Sequence, residues 1–128
     1  MTINDIYELS LYLAEKTDDD TGFIDSEYKK QHQKKADVII RQAIRKYADL
    51  NNEDICEIDM LSSDEPVPLP YYALKNIIPY YVGAMLCADD KDSDKYAILI
   101  RTYDEEIKSI RFKEEQIDFD SLLCGMEG

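Results

Sequence analysis

Residues 77–110 read IIPYYVGAMLCADDKDSDKYAILIRTYDEEIKSI and give the clearest indication of the fold. Both halves carry apolar residues at helical spacing, and an aspartate-rich turn separates them. Gly83 and Ala84, in the first half, are small enough to let another helix approach closely. In the second half, apolar residues alternate four and three positions apart and form a seam: Tyr96, Ile100, Tyr103, Ile107, Ile110. The stretch therefore predicts two packed helices joined by an acidic turn.

Toward the N-terminus the sequence predicts two further helices, one over residues 2–16 and a longer one ending near residue 50. Thr2 and Asp5 resemble a capping box at the start of the first helix. The stripe of the second helix includes Ala36, Ile40 and Ile44. These helices belong with the decisive pair in one bundle.

The middle of the chain has a different pattern. ICEIDML, residues 55–61, alternates apolar and polar residues and predicts a short strand or extended segment. The proline-containing residues 62–70 predict a loop. A third helix is predicted from Pro70 to about Ala88, and Pro79 should kink or break it.

The predicted fold class is all-α: a single-domain bundle of about four main helices, with a short extended segment in the middle and a C-terminal tail. Residues 1–115 form the helical domain, and residues 116–128 are the tail, a candidate interaction arm. Its candidate anchors are Phe119, Leu122 and Leu123. A tail that folds back onto its own bundle is the equally open alternative.

Composition excludes several classes of function. The chain has 128 residues, 45% of them hydrophobic, and a net charge of -13. Sequence-specific binding to nucleic acid is not expected, because neutralising phosphates needs a basic face. The sequence shows no membrane span and no secretory signal. The three cysteines form no CxxC pair and are expected to be free thiols in a reducing compartment.

The charge is unevenly distributed, since lysines and arginines cluster between residues 29 and 46 while most of the acid follows them. Such a polarised surface suits subunits that meet charge to charge, with the acidic helix 104–115 as the complementary face. A solvated helix face is the simpler interpretation. The candidate interface residues of the two faces are Lys29, Lys30, Lys34, Arg41, Arg45, Asp104 and Glu105.

Ten tyrosines and no tryptophan suggest interface chemistry, because a tyrosine ring can be buried while its hydroxyl stays wet. Two adjacent pairs lie on the proline-containing helix. Neighbouring residues face different sides of a helix, so one member of each pair can enter the core. Tyr72 and Tyr81 are the interface candidates.

TDDDTGFIDSEY, residues 17–28, raises the question of a calcium loop. Gly22 and Ile24 fit the pattern, but Thr17 and Tyr28 replace the first and last carboxylates, which are the main anionic ligands. The turn at 89–94 likewise has a cation where the closing ligand should be. We therefore expect acidic residues that end one helix and cap the next, with Asp25 or Ser26 opening the second helix.

No catalytic constellation is visible. His32 is the single histidine, and the cysteines are scattered, so neither a zinc site nor a nucleophile with its base is indicated. Phosphate-binding glycine loops are absent from the sequence. The expectation is a non-enzyme without cofactors.

The layout resembles the small head-to-tail connector (adaptor) proteins of tailed bacteriophages and prophages. In that family a helix with paired tyrosines and small residues, an acidic turn and a tyrosine-containing helix recur. Here they match Tyr80, Tyr81, Gly83, Ala84, Leu86, the turn 89–94, Tyr96, Tyr103 and Ile107. The resemblance implies a helical virion protein that forms a ring, docks on the portal protein and carries a tail or second connector protein. It also implies assembly in the bacterial host cytoplasm.

Two other classes stay open from the sequence. One is a small acidic binding or inhibitor protein that mimics nucleic-acid charge. The net charge favours this class, and the clustered lysines argue against it. The other is a helical enzyme or cation-binding regulator that uses the aspartate clusters.

Overall fold

The computed structural model describes residues 1–51 and 58–127, and side chains up to Ile110. It is mostly helical, as predicted, and no strand occurs in the described ranges. The α-helices are α1 (Ile3–Leu13), α2 (Ser26–Leu50), α3 (Tyr71–Asn76), α4 (Ile78–Asp89) and α5 (Ser93–Glu127). A 3₁₀ turn covers Ile58–Met60.

Helix α4 lies at the centre and packs against α1, α2, α3 and α5. Its sequence explains this position, because Asp89, its last residue, is its only charged residue. A helix that is apolar nearly all round is stable only when it is covered on most sides. The buried core residues of α4 include Ile78, Val82 and Leu86.

Gly83 lies where α1 and α5 both approach α4. A β-carbon placed there would lie 3.3 Å from Leu99 Cδ1 and 3.3 Å from the Ser10 carbonyl oxygen. The prediction that this glycine permits a close helix approach is therefore confirmed, and it serves two neighbouring helices.

The first two helices begin where the sequence predicts. Thr2 and Asp5 form a reciprocal capping box, and the Asp25 carboxylate accepts hydrogen bonds from the first turn of α2. The predicted end of α1 at Lys16 was wrong, because the helix ends at Leu13. Glu15 adopts a φ of 57°, and the Lys16 N–H then bonds the Leu11 carbonyl, which closes the helix early.

The helix predicted from Pro70 is two pieces. α3 ends at Asn76 and α4 begins at Ile78, with Ile77 (φ -120°, ψ -64°) between them. Pro79 has no N–H to continue the ladder, and its ring would crowd the preceding turn. The break therefore lies just before the proline.

The middle segment shows no strand in its described part, so that expectation was wrong for residues 58–60, which form the 3₁₀ turn. Residues 52–57, which include the first three residues of the alternating run, lie outside the described residues. Farther on, the Val67 N–H donates to the Met1 carbonyl over 2.9 Å, and Thr2 pairs with Pro66 in an isolated bridge. An extended stretch thus ties the loop to the start of α1.

Helix α5 buries Leu99 and Tyr103, and the remaining seam residues are partly buried against the core. It continues through the predicted tail boundary to Glu127 as one helix. With 35 residues it is about 52 Å long, whereas the 12 residues of α4 span about 18 Å.

Candidate interaction surfaces

Most of the basic side chains on α2 have acidic partners in the same molecule. Lys29 Nζ lies 2.9 Å from Glu8 Oε1, and Lys35 pairs with Asp89. Lys46 lies over the rings of Tyr81 and Tyr103, at 5.5 and 6.0 Å from their centroids. Most of the basic stretch therefore makes contacts that stabilise its own subunit.

Arg41 and Arg45 hold the 3₁₀ turn against α2. Arg41 donates through Nε to Asp37 over 2.9 Å and through Nη1 to the Ile58 carbonyl. Arg45 Nη2 lies 2.6 Å from Asp59 Oδ2. These two interface candidates thus have a structural role, and Arg41, which is largely buried, is the more constrained.

Lys30 and Lys34 are exposed, and neither has an acidic partner among the described side chains. Lying four positions apart, they share one face of α2. Lys34 lines a groove of about 420 Å³ between α1, α2 and the loop at Ser63. Of the predicted basic face, this is the part left available to another molecule.

The two candidate tyrosines differ in environment. Tyr72 is 54% exposed, and its hydroxyl donates to Glu106 over 2.8 Å, which raises its pKa. Tyr81 is half-buried, with its ring 5.2 Å from that of Tyr103 at an angle of 49°. Tyr81 therefore belongs partly to the bundle, while Tyr72 and its exposed neighbour Tyr71 offer aromatic surface.

The acidic candidates Asp104 and Glu105 lie exposed on α5, and neither forms an ion pair within the part of the chain whose side chains are described. They remain available as an acidic face. The tail candidates Phe119, Leu122 and Leu123 are on the last turns of α5, but their side chains lie outside the described ones. Their role as anchors stays a prediction.

A polar cluster that sequence reasoning missed closes one end of the bundle. Asp90, just after α4, accepts a 2.7 Å hydrogen bond from the Tyr28 hydroxyl and lies 2.8 Å from Lys16 Nζ. His32 stacks on the Tyr28 ring, with centroids 3.8 Å apart. The only signal in the sequence is Tyr28 and His32 at helical spacing.

The pKa shifts in this cluster are those of a carboxylate held in a salt bridge. Burial tends to raise the pKa of Asp90, but hydrogen bonds from Lys16 and Tyr28 outweigh it, and the net pKa is lowered. Burial, followed by the bond to Asp90, raises the pKa of Tyr28. Asp90 is therefore ionised, and Tyr28 is a neutral donor.

His32, Asp89 and Asp90 offer ligand atoms within 4.8 Å of one another, as a metal site requires. Nδ1 of His32 lies 3.0 Å from the Tyr28 carbonyl, which only accepts, so Nδ1 carries a proton and Nε2 faces Asp90. However, Lys16 and Lys35 already neutralise the two carboxylates. A cation would have to displace both lysines, so the arrangement is better described as a structural clasp.

The acidic turn after α1 is closed by its own hydrogen bonds. The Asp18 carboxylate accepts from the Asp20 N–H over 2.8 Å, and Gly22 adopts a φ of 73°. Thr17 and Ile24 form an isolated bridge across the turn. Asp25 caps α2, as the sequence predicted.

Two potential nucleophiles are inaccessible. Ser10 is fully buried, and its hydroxyl donates to the Ile6 carbonyl over 2.7 Å. Cys87 is also fully buried, and burial raises its pKa, which keeps it a thiol.

No helix among the described residues is both long enough and apolar enough to span a membrane. No protein-family profile, no curated protein and no solved structure matches this chain.

Proposed function

We propose that this protein is a structural virion subunit, a head-to-tail connector that docks on a portal ring and joins the head of a tailed bacteriophage to its tail. It associates with copies of itself into a ring and with a tail or second connector protein. It is made and assembled in the bacterial host cytoplasm and ends in the virion. The proposal includes no catalysis and no cofactor.

The observation that carries the proposal is the mismatch in length between α5 and its partners. α3 and α4 together run from Tyr71 to Asp89, about 28 Å of helix, against about 52 Å for α5. The combined length of α3 and α4 is therefore only about half the length of α5. α5 is thus much longer than the helices it packs against, and its last turns carry Phe119, Leu122 and Leu123. Such a helix is a suitable element for contacting another subunit.

The available surface supports an assembly role as well. Tyr71 and Tyr72 are exposed, and aromatic side chains of this kind are enriched at the centres of interfaces. Ser10 and Cys87, the two potential nucleophiles described above, are buried in the core, and this supports a structural role over chemistry.

Co-expression with the portal protein from the same genome tests the proposal. We expect the chain to co-purify with the portal and to add a ring beneath it in electron micrographs. Phe119→Asp and Leu122→Asp should abolish co-purification, whereas Ser121→Asp adds the same charge to the same segment and should preserve it. If the wild-type chain fails to bind the portal, and its neighbouring genes encode no virion proteins, the proposal is wrong.

One observation favours a second candidate, an acidic mimic of nucleic-acid charge. The clustered lysines counted against it in the sequence, but Lys29, Lys35, Arg41 and Arg45 are paired with acids of the same molecule. The basic stretch therefore offers less unpaired positive charge than the sequence suggests. A mimic should capture basic nucleic-acid-binding proteins and be displaced from them by DNA, and capture that DNA cannot reverse would argue against mimicry.

A further inference from the structure

The loop between α1 and α2 presents an aromatic side chain to solvent. Phe23 is 69% exposed, although its backbone is held on both sides. Its carbonyl accepts from the Asp18 N–H over 2.8 Å, and its N–H donates to the Thr21 hydroxyl over 3.3 Å. Gly22, at a φ of 73°, makes the sharp turn before it. A rigidly presented aromatic ring is the usual form of an interface anchor, because little conformational entropy is lost when it is buried.

This anchor is surrounded by negative charge. Asp19 and Asp20 are exposed, and within the described part of the chain their carboxylates form neither a hydrogen bond nor an ion pair. The segment 17–24, here called the Phe23 loop, therefore combines an apolar anchor with two uncompensated negative charges. Its natural complement is a concave apolar surface with a basic rim.

The same molecule carries such a surface, here called the α1–α2 groove. It has a volume of about 420 Å³, with Ile3, Tyr7 and Ile40 at its floor. Its rim includes Lys34, which has no acidic partner among the described side chains, and Arg41, whose charge is shared with Asp37. Lys30 lies one turn from Lys34 on α2. The groove thus has an apolar floor within walls that include Asn4, Gln33 and Ser63, and it carries positive charge on a strongly acidic protein.

The Phe23 loop does not fill the groove of its own molecule, since Phe23 is 69% exposed. The loop ends at Ile24, whereas the groove residues on α2 begin at Gln33, about 10 Å along the helix from Ser26, and continue to Arg41. The two complementary surfaces are therefore at different places on one subunit, and each is left to another molecule.

We propose that the Phe23 loop of one copy docks into the α1–α2 groove of a second copy of this chain. The contact is heterologous, because each copy uses two different surfaces, and repetition yields a ring if the rotation closes or an open chain if it does not. The contact specifies how copies of the chain would associate in the proposed function, and it rests on that proposal. The loop–groove contact replaces the contact that the sequence predicted between the basic stretch and helix 104–115, because much of that stretch is already paired within the subunit.

Sedimentation of the full chain over a concentration series, up to about 1 mM, tests the contact. We expect concentration-dependent association that Phe23→Ala weakens by roughly 30-fold, the effect of losing an interface hot spot. Lys34→Glu should weaken it as well. Ile98→Ala is the matched control, because Ile98 is similarly exposed, at 64%, but lies on α5, and it should leave association unchanged.

Mixing two variants tests whether the Phe23 loop of one copy contacts the α1–α2 groove of another. A Phe23→Ala chain keeps its groove, and a Lys34→Glu chain keeps its loop, so together they can form one intact contact and no more. We expect a 1:1 complex that does not grow. A wild-type chain that stays monomeric at the highest concentration, or one whose association is indifferent to Phe23→Ala, overturns the inference.

The inference and the proposed function can fail separately. If wild-type and Phe23→Ala chains form the same ring on the portal, the docking inference is wrong and the connector proposal stands. If the chain associates through Phe23 but ignores the portal, the docking inference stands and the connector proposal is wrong.

Discussion

The Tyr28 hydroxyl donates a 2.7 Å hydrogen bond to Oδ2 of Asp90, a residue 62 positions away in the sequence. The bond joins the first turn of α2 to the residue that follows α4. Lys16 binds the same carboxylate from the end of the α1 region. One carboxylate therefore fixes three segments of the chain at this end of the bundle.

Asp90→Asn should destabilise the protein. The substitution keeps the shape of the side chain but removes the charge that Lys16 and Tyr28 share, and hydrogen bonds to charged groups contribute about 1.5–3 kcal/mol each. Because the Asp90 side chain is 26% exposed, solvent screening reduces this, and we expect a loss of about 1–2 kcal/mol in urea unfolding. Asp104→Asn is the control, because Asp104 is exposed and has no ion-pair partner among the described side chains, and it should change the free energy of unfolding little. Equal stability of both variants would contradict the clasp.

The contribution of Asp90 should depend on pH in a defined direction. Its pKa in the folded state is lowered from an ordinary value of 3.8, so its stabilisation is fully present above that pH. It is lost as the pH falls below 3.8 and through the folded-state pKa. The difference in unfolding free energy between wild type and Asp90→Asn should therefore be smaller below pH 3.8 than above it. A difference that grows on acidification would show that the sign is wrong.

Gly83→Val should disrupt the meeting point of α1, α4 and α5. Even the β-carbon would lie 3.3 Å from Leu99 and from the Ser10 carbonyl, and valine adds two further methyl groups to this close contact. Overpacking of this kind costs about 1–3 kcal/mol. Ala97→Val, at an exposed position of α5, controls for the helix propensity of valine and should be nearly neutral. If both variants melt at the same temperature, the close approach at Gly83 is not as described.

The features that could be predicted from the sequence are the local ones. The capping residues Thr2, Asp5 and Asp25 act within four residues of themselves, and the α5 seam follows from helical periodicity alone. The ion-pair partners of the α2 cations could not be predicted, because they are distant in the sequence. Lys29 pairs with Glu8 at a separation of 21 residues, and Arg45 pairs with Asp59 at a separation of 14 residues. The early end of α1 was missed because glutamate is not a usual residue at a positive φ. The Asp90 clasp depends on the same long-range placement.

Removing residues 116–128 should leave the bundle stable and decide between the two states considered for the tail. If the tail is an interaction arm, as proposed, the shortened protein keeps the core of α1–α4 and the first half of α5 and should melt within a few degrees of the full one. Circular dichroism should show loss of the helical signal of the tail alone. A marked fall in melting temperature would instead mean that the tail folds back and completes the core. In that case Phe119, Leu122 and Leu123 would be core residues, and the portal contact would have to lie elsewhere on the surface.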